Sequence, residues 1–378
     1  MSGPLAGVEV VDLTTIVMGP YASQMLADLG ARVTKVEAPG GDAMRHVGPK
    51  RSAGMGPNFL QLNRGKRSEE LDLKSASGLS RMHELLARAD VFLHSLRPHT
   101  LAGLGLDYAR VRSVNPRIIH CGCFGYGQGG PYEAQPAYDD LIQGACGIPD
   151  LARRAGGGEP RYAPLNLADR TVGLYAAMAI NAALFERERS GQGQAVEVPM
   201  FETMAQFVLG DHLWGMTHRP PLDGTGYVRL LSAQRRPFRT RDGYLCVLIY
   251  SDRQWRSFTE LVGDPGLMRR DVRFADAEAR TVHVDHVQGF VARHLAEGTT
   301  AEWLERLRAA DIPVTPMNTL DALLEDPHLA ATGFFVRVEH PSEGTLCMPR
   351  VPARFSRTPA AQPGHAPLLG EHNVDREG

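Results

Sequence analysis

Residues 8–36 read VEVVDLTTIVMGPYASQMLADLGARVTKV, and the reading of this stretch decides the fold. Val8 to Leu13 is a short β-branched run of the kind that forms a buried strand. Gly19-Pro20 follows, then helical spacing from Tyr21 to Leu29, with Gly30 as the C′ residue that ends the helix. Val33 to Val36 is the next strand. Strands alternating with helices predict a parallel, doubly wound α/β sheet.

The alternation continues outward. A Gly/Pro-rich loop from Pro39 to Pro57 leads to Leu71-Asp72-Leu73, a helix from Ser77 to Arg88, and strands at Asp90 to Leu93 and Arg117 to Cys123. Asp169 to Arg189 reads as one long helix. Its first four turns are apolar nearly all round (Val172, Leu174, Ala176, Ala177, Met178, Ile180, Ala183, Leu184), which predicts burial. Gln194 to Val198 is a further strand. Character changes after about residue 215. Pro220-Pro221 and Gly224-Thr225-Gly226 form a linker or lid. Arg241-Asp242-Gly243 is a turn between strand-like runs at Pro237 to Thr240 and Tyr244 to Ile249. Helical patterns follow at Arg253 to Val262 and Ala301 to Ala310. The proline-rich end (Pro341, Pro349, Pro352, Pro359, Pro363, Pro367) reads as an extended strap. The expected organisation is a large Rossmann-like α/β domain over 1–215, completed by a strap over 330–378, and a smaller α+β domain over 216–329.

Composition narrows the function classes. The chain has 378 residues, 43% hydrophobic and 22% charged, which is ordinary globular composition. Lys+Arg 41 against Asp+Glu 43 leaves a formal charge of −2, so no basic field is available for nucleic acid or an anionic membrane. No 18 apolar residues run together, and Met1 to Leu5 lacks the features of a signal peptide. Five scattered cysteines (Cys121, Cys123, Cys146, Cys246, Cys347) fit a reducing compartment, and a cytoplasmic location is expected. Cys121-Gly122-Cys123 reads as a pair of packed strand thiols, because no second Cys/His pair completes a zinc site.

Several motifs have bland readings. Gly125-Tyr126-Gly127-Gln128-Gly129-Gly130 matches the dinucleotide fingerprint by letters, yet Pro131 and Pro136 follow and no helix opens to cradle a phosphate. The stretch reads as a loop lying close to a ligand, or as a plain turn. His283-Val284-Asp285-His286, with His294, reads as a solvated face and not a metal site. Neither a nucleophile elbow nor a P-loop lysine occurs. Asp169 stands at the entry of the apolar helix, after Pro164-Leu165-Asn166-Leu167-Ala168. It reads as an N-cap, or as a carboxylate that the helix N-terminus keeps ionised in an apolar surround, able to attack an activated acyl carbon.

An ordered set of short segments spans nearly the whole chain. It comprises Val10-Val11-Asp12-Leu13 with Gly19-Pro20; Val33-Thr34-Lys35-Val36-Glu37 with Gly41-Asp42 and Arg45; Asn63-Arg64-Gly65-Lys66-Arg67-Ser68 with Leu71 to Lys74; Leu96-Arg97-Pro98 with Leu104-Gly105-Leu106; Asn115 to Ile119; Gly125 to Gln128 with Gly130-Pro131-Tyr132; Gly191 to Gln194; and Asp252 to Trp255. In this the chain resembles the family III CoA-transferases, the group that contains formyl-CoA transferase, the carnitine CoA-transferases and α-methylacyl-CoA racemase. The resemblance implies an interlocked homodimer and a CoA-transferase that moves CoA from a donor acyl-CoA to an acceptor carboxylic acid. It places a catalytic aspartate at Asp169, working through an aspartyl anhydride and an aspartyl-CoA thioester. It places CoA contacts at Val17 and Met18, at Leu71, Asp72, Leu73 and Lys74, at Ser95, Leu96 and Arg97, and at Ala137, Tyr138 and Asp139. Acyl-CoA and a carboxylic acid are the substrates; no tightly bound cofactor, metal, flavin or nicotinamide is implied.

This chain also departs from the pattern. Val17 replaces a glutamine, Ser95 stands for Asn, and Ala38 and Gly103 stand where formyl-CoA transferase has arginines. A formyl/oxalate pairing is therefore disfavoured, and Val17 with Met18 gives an apolar wall. The racemase branch pairs its aspartate with a histidine where this chain has Tyr138, whose ordinary pKa of about 10 makes a poor base. Racemisation, and acyl-CoA binding without chemistry, are the alternatives.

Overall fold

The computed structural model describes residues 3–373. Six parallel strands form the main sheet: β1 (Glu9–Leu13), β2 (Arg32–Glu37), β3 (Arg67–Glu70), β4 (Val91–His94), β5 (Ile119–Phe124) and β6 (Gln194–Pro199). Their order is β3-β2-β1-β4-β5-β6, so strand order reverses between β1 and β4. Register is set by apolar neighbours: Val10 lies opposite both Val33 and Val91. Helices α1 (Met18–Asp28), α2 (Ala76–Arg88), α3 (Asp139–Ala145) and α4 (Leu167–Ser190) matter most for the site. Gly30 closes α1 with φ 102°, as its spacing predicts. Against the sheet, α2 packs Met82, Leu85 and Leu86 onto Val11, Val36 and Phe92.

The polar run Arg67–Glu70 forms β3, and Leu71 and Leu73 after it pack into the core beside α2. A polar strand survives at this edge because the C-terminal segment covers it: Glu70 N–H donates to Asn373 Oδ1 (2.8 Å) and His372 N–H to Ser68 O (2.9 Å). The long helix is not buried all round. Val172, Gly173, Ala176 and Ile180 are buried, but Leu174, Met178 and Phe185 are each more than half exposed (52%, 56% and 61%). The proline-rich end is not wholly extended. It contains a hairpin, β10 (Phe335–His340) and β11 (Gly344–Pro349), whose Val338 and Met348 pack on Met55, Phe59 and Leu60. After Pro349 it has no regular element, and its last five residues lie outside the described residues.

Backbone contacts divide the chain into two compact units. One takes in the described residues of Met1–Cys146, Ala163–Gln206 and Pro327–Gly378 and holds the main sheet. The other takes in Gly147–Tyr162 and Phe207–Asp326. The segment 147–162 thus falls outside the sheet-bearing unit, a division no sequence signal marks. The second unit has a small antiparallel sheet, β7 (Phe238–Arg239), β8 (Tyr244–Val247) and β9 (Val314–Pro316), over a core of Phe258, Phe274, Leu295 and Trp303. Its helices at Asp252–Leu261 and Thr300–Ala309 begin on complete capping boxes, Ser251/Gln254 and Thr299/Glu302. Within it, the Gly224–Gly226 stretch is tied down: Gly226 N–H donates to His212 O (2.9 Å), and Arg154 Nη2 donates to Thr225 O (3.0 Å).

Beneath the sheet's C-terminal ends lies a buried ionic network. Lys66 Nζ meets Asp12 Oδ2 at 3.0 Å and Lys35 Nζ meets Asp42 Oδ2 at 3.0 Å, all four side chains at 0% exposure. Burial alone would raise Asp12, but Lys66 and Lys35 overcome it and hold the carboxyl down at about 2. Burial brings Lys66 down to about 8 against the pull of Asp12. Arg45 closes the network with a two-pronged contact to Glu37 (2.8 and 2.7 Å). Removing one partner strands the other without solvent. Lys66→Met is expected to cost about 3–5 kcal/mol in denaturant unfolding. Lys66→Met with Asp12→Asn should recover a substantial part of that loss; equal stability of the single and double variants would contradict the coupling.

Candidate active site

The candidate site forms where loops leave the C-terminal ends of β1, β4 and β5, at the point of strand-order reversal where open α/β sheets bind ligands. A cavity of about 370 Å³ lies there. Thr15, Ile16, Val17 and Met18 line it from the β1 loop, Ser95, Arg97 and Pro98 from the β4 loop, and Cys123, Phe124, Gly125 and Gln128 from the end of β5. Glu133, Gln135, Pro136, Ala137, Tyr138 and Asp169 complete it, with Met200 just past β6.

The β1 loop is held under strain. Ile16 has φ 71°, a left-handed conformation that a β-branched residue rarely adopts and that costs about 1–3 kcal/mol. Its N–H donates to both oxygens of buried Asp42 (3.2 Å each), while Lys35 Nζ donates to Thr14 O (2.8 Å). Asp12 accepts from Thr14 N–H (3.0 Å). The ionic network therefore grips both sides of the turn. Close packing finishes it: a Cβ on Gly19 would meet the Thr14 side chain at 2.4 Å.

Asp169 is not an N-cap. The helix begins at Leu167, and Asp169 lies in its first turn. Its own N–H donates to Asp139 Oδ1 (3.0 Å). The other Asp139 oxygen accepts from Gln143 Nε2 (2.6 Å), and Gln143 in turn binds Leu165 O (3.2 Å) and Ala163 N–H (2.9 Å). The first turn of α3 thus anchors the entry to α4. Asp169 is 9% exposed and lines the cavity. Among the described residues no hydrogen bond reaches its carboxyl oxygens. Burial, then the negative charge of Asp139, pushes its pKa from 3.8 up to about 7, with Arg170 pulling weakly the other way. The expectation that the helix N-terminus keeps this group fully ionised is corrected, because the helix N–H of Asp169 is spent on Asp139 and burial dominates.

The other expected contacts divide. Val17, Met18, Ser95, Arg97, Ala137, Tyr138 and Asp169 share the cavity. Leu71, Asp72, Leu73, Lys74, Leu96 and Asp139 do not line it. Leu71, Leu73 and Leu96 pack on the core, and Lys74 is exposed with its N–H on Asp72 Oδ1 (2.9 Å). Ile16, Glu133, Gln135 and Met200 line the cavity without having been singled out, and Gln128 of the glycine-rich loop lines it too. Gly125 reaches it because a Cβ there would meet Ala137 Cβ at 2.2 Å. The glycine-rich loop cannot cradle a phosphate through the N–H groups of Gly127, Gln128 and Gly129. Gly127 donates to Glu202 (3.0 Å), Gln128 to Glu197 (2.7 Å) and Gly129 to Glu133 (2.8 Å). Among the described residues no group of three or more His, Cys, Asp or Glu is arranged to hold a metal ion, and no helix is long and apolar enough to cross a membrane.

Sheet order and cleft together define an α/β protein with a cavity at the strand reversal. The chain belongs to CoA-transferase family III, whose model matches residues 5–373. It is 32% identical over 380 residues to the succinate–glutarate CoA-transferase of Agrobacterium fabrum, covering 98% of this chain and 94% of that protein. It is 32% identical over 378 residues to the succinyl-CoA–L-malate CoA-transferase beta subunit of Chloroflexus aurantiacus, covering 98% and 93%. The crystal structure of Rv3272 from M. tuberculosis superposes with a TM-score of 0.85 at 32% identity, covering 98% of each chain. The protein is accordingly a family III CoA-transferase, acting on acyl-CoA.

The raised Asp169 pKa has a consequence for stability. Between 3.8 and about 7 the native state holds a proton that the unfolded chain has lost, so native stability falls as pH rises through this window. Asp169→Asn removes the penalty. Its gain over wild type should be near zero at pH 4 and reach about 4 kcal/mol above pH 8, by chemical denaturation. A gain independent of pH would count against the burial argument.

Proposed function

We propose that Asp169 is the acyl acceptor of a CoA transfer from a donor acyl-CoA to a carboxylic acid. The observation that carries this reading is the Asp169 carboxyl, poorly solvated and without a hydrogen bond among the described residues, on the wall of the cavity at the strand reversal, where the other carboxylate, Glu133, is exposed and engaged by Gly129 N–H. A carboxylate in that state is a strong nucleophile. Its oxygen attacks the thioester carbon, the C–O bond forms, the C–S bond breaks, and a mixed anhydride and CoA thiolate result. The thiolate attacks Cγ of Asp169, releasing the donor acid and leaving an aspartyl-CoA thioester. The incoming carboxylate attacks that thioester and expels the thiolate, which then attacks the new acyl carbon. Acyl-CoA leaves and the Asp169 carboxylate is regenerated.

Val17, Met18 and Ala137 would pack the pantetheine arm, and Arg97, exposed at the cavity edge with no ion-pair partner among the described residues, would meet a phosphate. Leu71 to Lys74, beyond the cavity wall, would flank the nucleotide. Asp139 acts here by setting the Asp169 backbone and its charge. The relatives named for succinate, glutarate and malate support a short dicarboxylate as one of the acids. Tyr138 is 64% exposed, in the position where proton exchange would need a second base. Cys121, Cys123, Cys246 and Cys347 are free thiols, in keeping with a reducing, cytoplasmic setting.

We also propose that the chain works as the interlocked homodimer of its family. The exposed stripe of Leu174, Met178 and Phe185 on α4 supports a covered face. Met178→Glu should shift the sedimentation mass toward the monomer; an unchanged mass, with Leu174→Asp also silent, removes the stripe from the interface.

Two measurements test the chemistry. Asp169→Ala should lose CoA exchange between succinyl-CoA and glutarate by about 10³-fold or more, and the wild-type adduct at Asp169, seen by mass spectrometry or trapped by hydroxylamine, should vanish. In wild type, kcat/KM should rise about tenfold per pH unit below about 7 and level off above it, since attack needs the ionised form. Exchange surviving in Asp169→Ala would end the proposal.

A further inference from the structure

The second unit holds a cavity of about 650 Å³ that the chemistry at Asp169 does not use. Arg229, Arg235 and Arg236 line it, and no Asp or Glu does. Among the described residues no carboxylate lies within ion-pair distance of any of the three. The nearest claim on them is Gln234 Oε1, at 3.5 Å from Arg236 Nη2. The remaining wall is mostly apolar, including Phe238, Val247 and Val314.

The arginines stand on a built turn. Ser232 is buried and gives its hydroxyl to Asp285, so that carboxylate is already engaged. Gln234 N–H donates to Ser232 Oγ (3.1 Å), Arg235 N–H to Ser232 O (3.0 Å) and Arg236 N–H to Gln234 O (2.9 Å). The backbone that carries two adjacent guanidinium groups is thereby fixed at the rim of the cavity. Elsewhere in this unit arginines find acids: Arg253 meets Asp311 at 2.6 Å, Arg270 meets Asp264 at 2.7 Å, and Arg273 meets Asp271 at 2.7 Å. Three guanidinium groups sharing one cavity without a counter-charge repel one another, and the guanidinium fork is matched to the paired oxygens of carboxylate and phosphate.

We propose that this cavity is a separate binding site for an organic anion, in which carboxylate or phosphate oxygens meet Arg229, Arg235 and Arg236 while an apolar body lies against Phe238, Val247 and Val314. The shared chemistry has two sources, a dicarboxylic acid or a nucleotide phosphate.

Cys246 gives a local readout. It lines the cavity and is exposed, whereas Cys347, also exposed, belongs to the other unit. Maleimide labelling of the full-length protein, followed by mass spectrometry, is carried out with glutarate, with adenosine 3′,5′-bisphosphate and with neutral adenosine. At about ten times its dissociation constant, a bound anion should slow Cys246 about tenfold and leave Cys347 unchanged. Protection by glutarate alone assigns the acid as source, and protection by the bisphosphate alone assigns the nucleotide. Arg235→Gln with Arg236→Gln, both at exposed positions, should abolish the protection with an unchanged melting temperature. The proposal is overturned by an unaltered Cys246 rate with both anions, by equal protection from adenosine, or by protection that survives the arginine substitutions. The Asp169→Ala variant should retain the effect, which separates this site from the transfer chemistry.

Discussion

The pairing of Lys35 with Asp42 and of Lys66 with Asp12, in an interior without solvent, is the constraint on which the candidate site depends. Each ion loses several kcal/mol of hydration on burial, and only good geometry with further hydrogen bonds offsets that loss. Apolar residues of similar volume could fill the same space at no loss of stability. They could not accept the Ile16 N–H or donate to Thr14 O. The network therefore contributes position more than stability. It sets a backbone turn that Ile16 would otherwise leave, and Val17 and Met18 follow on the cavity wall.

A second carboxylate arrangement lies at the opposite wall. Asp139 lies between two demands. It satisfies the first turn of α4 through the Asp169 N–H, and it brings a negative charge close to the Asp169 side chain. A cap of this kind ordinarily lowers the free energy of the helix end. Here burial, and after it the charge of the same Asp139, raises the pKa of the neighbouring acid, so helix stability and carboxyl ionisation share one interaction. With a pKa of about 7, Asp169 is divided between both forms near neutral pH. The protonated form suits the fold and the ionised form suits nucleophilic attack.

How much of this could be read from the chain follows from which signals are local. The βαβ opening was readable because β-branched runs, helical spacing and a C′ glycine all act within a few residues. The spacing places the long helix to within two residues at its start and one at its end but does not give its buried face: composition reports that Leu174 and Met178 are apolar, not which side the sheet occupies. The hairpin at 335–349 is masked by a proline in its turn, Pro341, and one at its end, Pro349. The segments quoted for the family resemblance contain Asp12, Lys35, Asp42 and Lys66, but nothing in their spacing says that four charges from separate strands and loops meet in the core. Ile16 carries no sequence mark of its left-handed backbone, since that conformation is imposed from outside. Asp139 and Asp169 are thirty positions apart, and only the packing of α3 on α4 makes them partners.

The exposed stripe of α4 links these observations. Val172, Gly173 and Ala176 lie on the buried face, and Gly173 permits the approach, since a Cβ there would meet Met18 O at 2.8 Å. Leu174, Met178 and Phe185 lie on the other face, uncovered in a single chain. One helix thus carries the candidate nucleophile at its start, packs against the β1-loop residue Met18 on one side, and presents an apolar surface on the other. In the proposed dimer that surface would be covered, and any shift of α4 on association would be felt at Asp169 through rigid helical geometry. Association would then alter the solvation of the carboxyl as well as bury apolar area, so the apparent pKa of the reaction should move with the dimerisation equilibrium, a coupling that an interface remote from α4 would not produce.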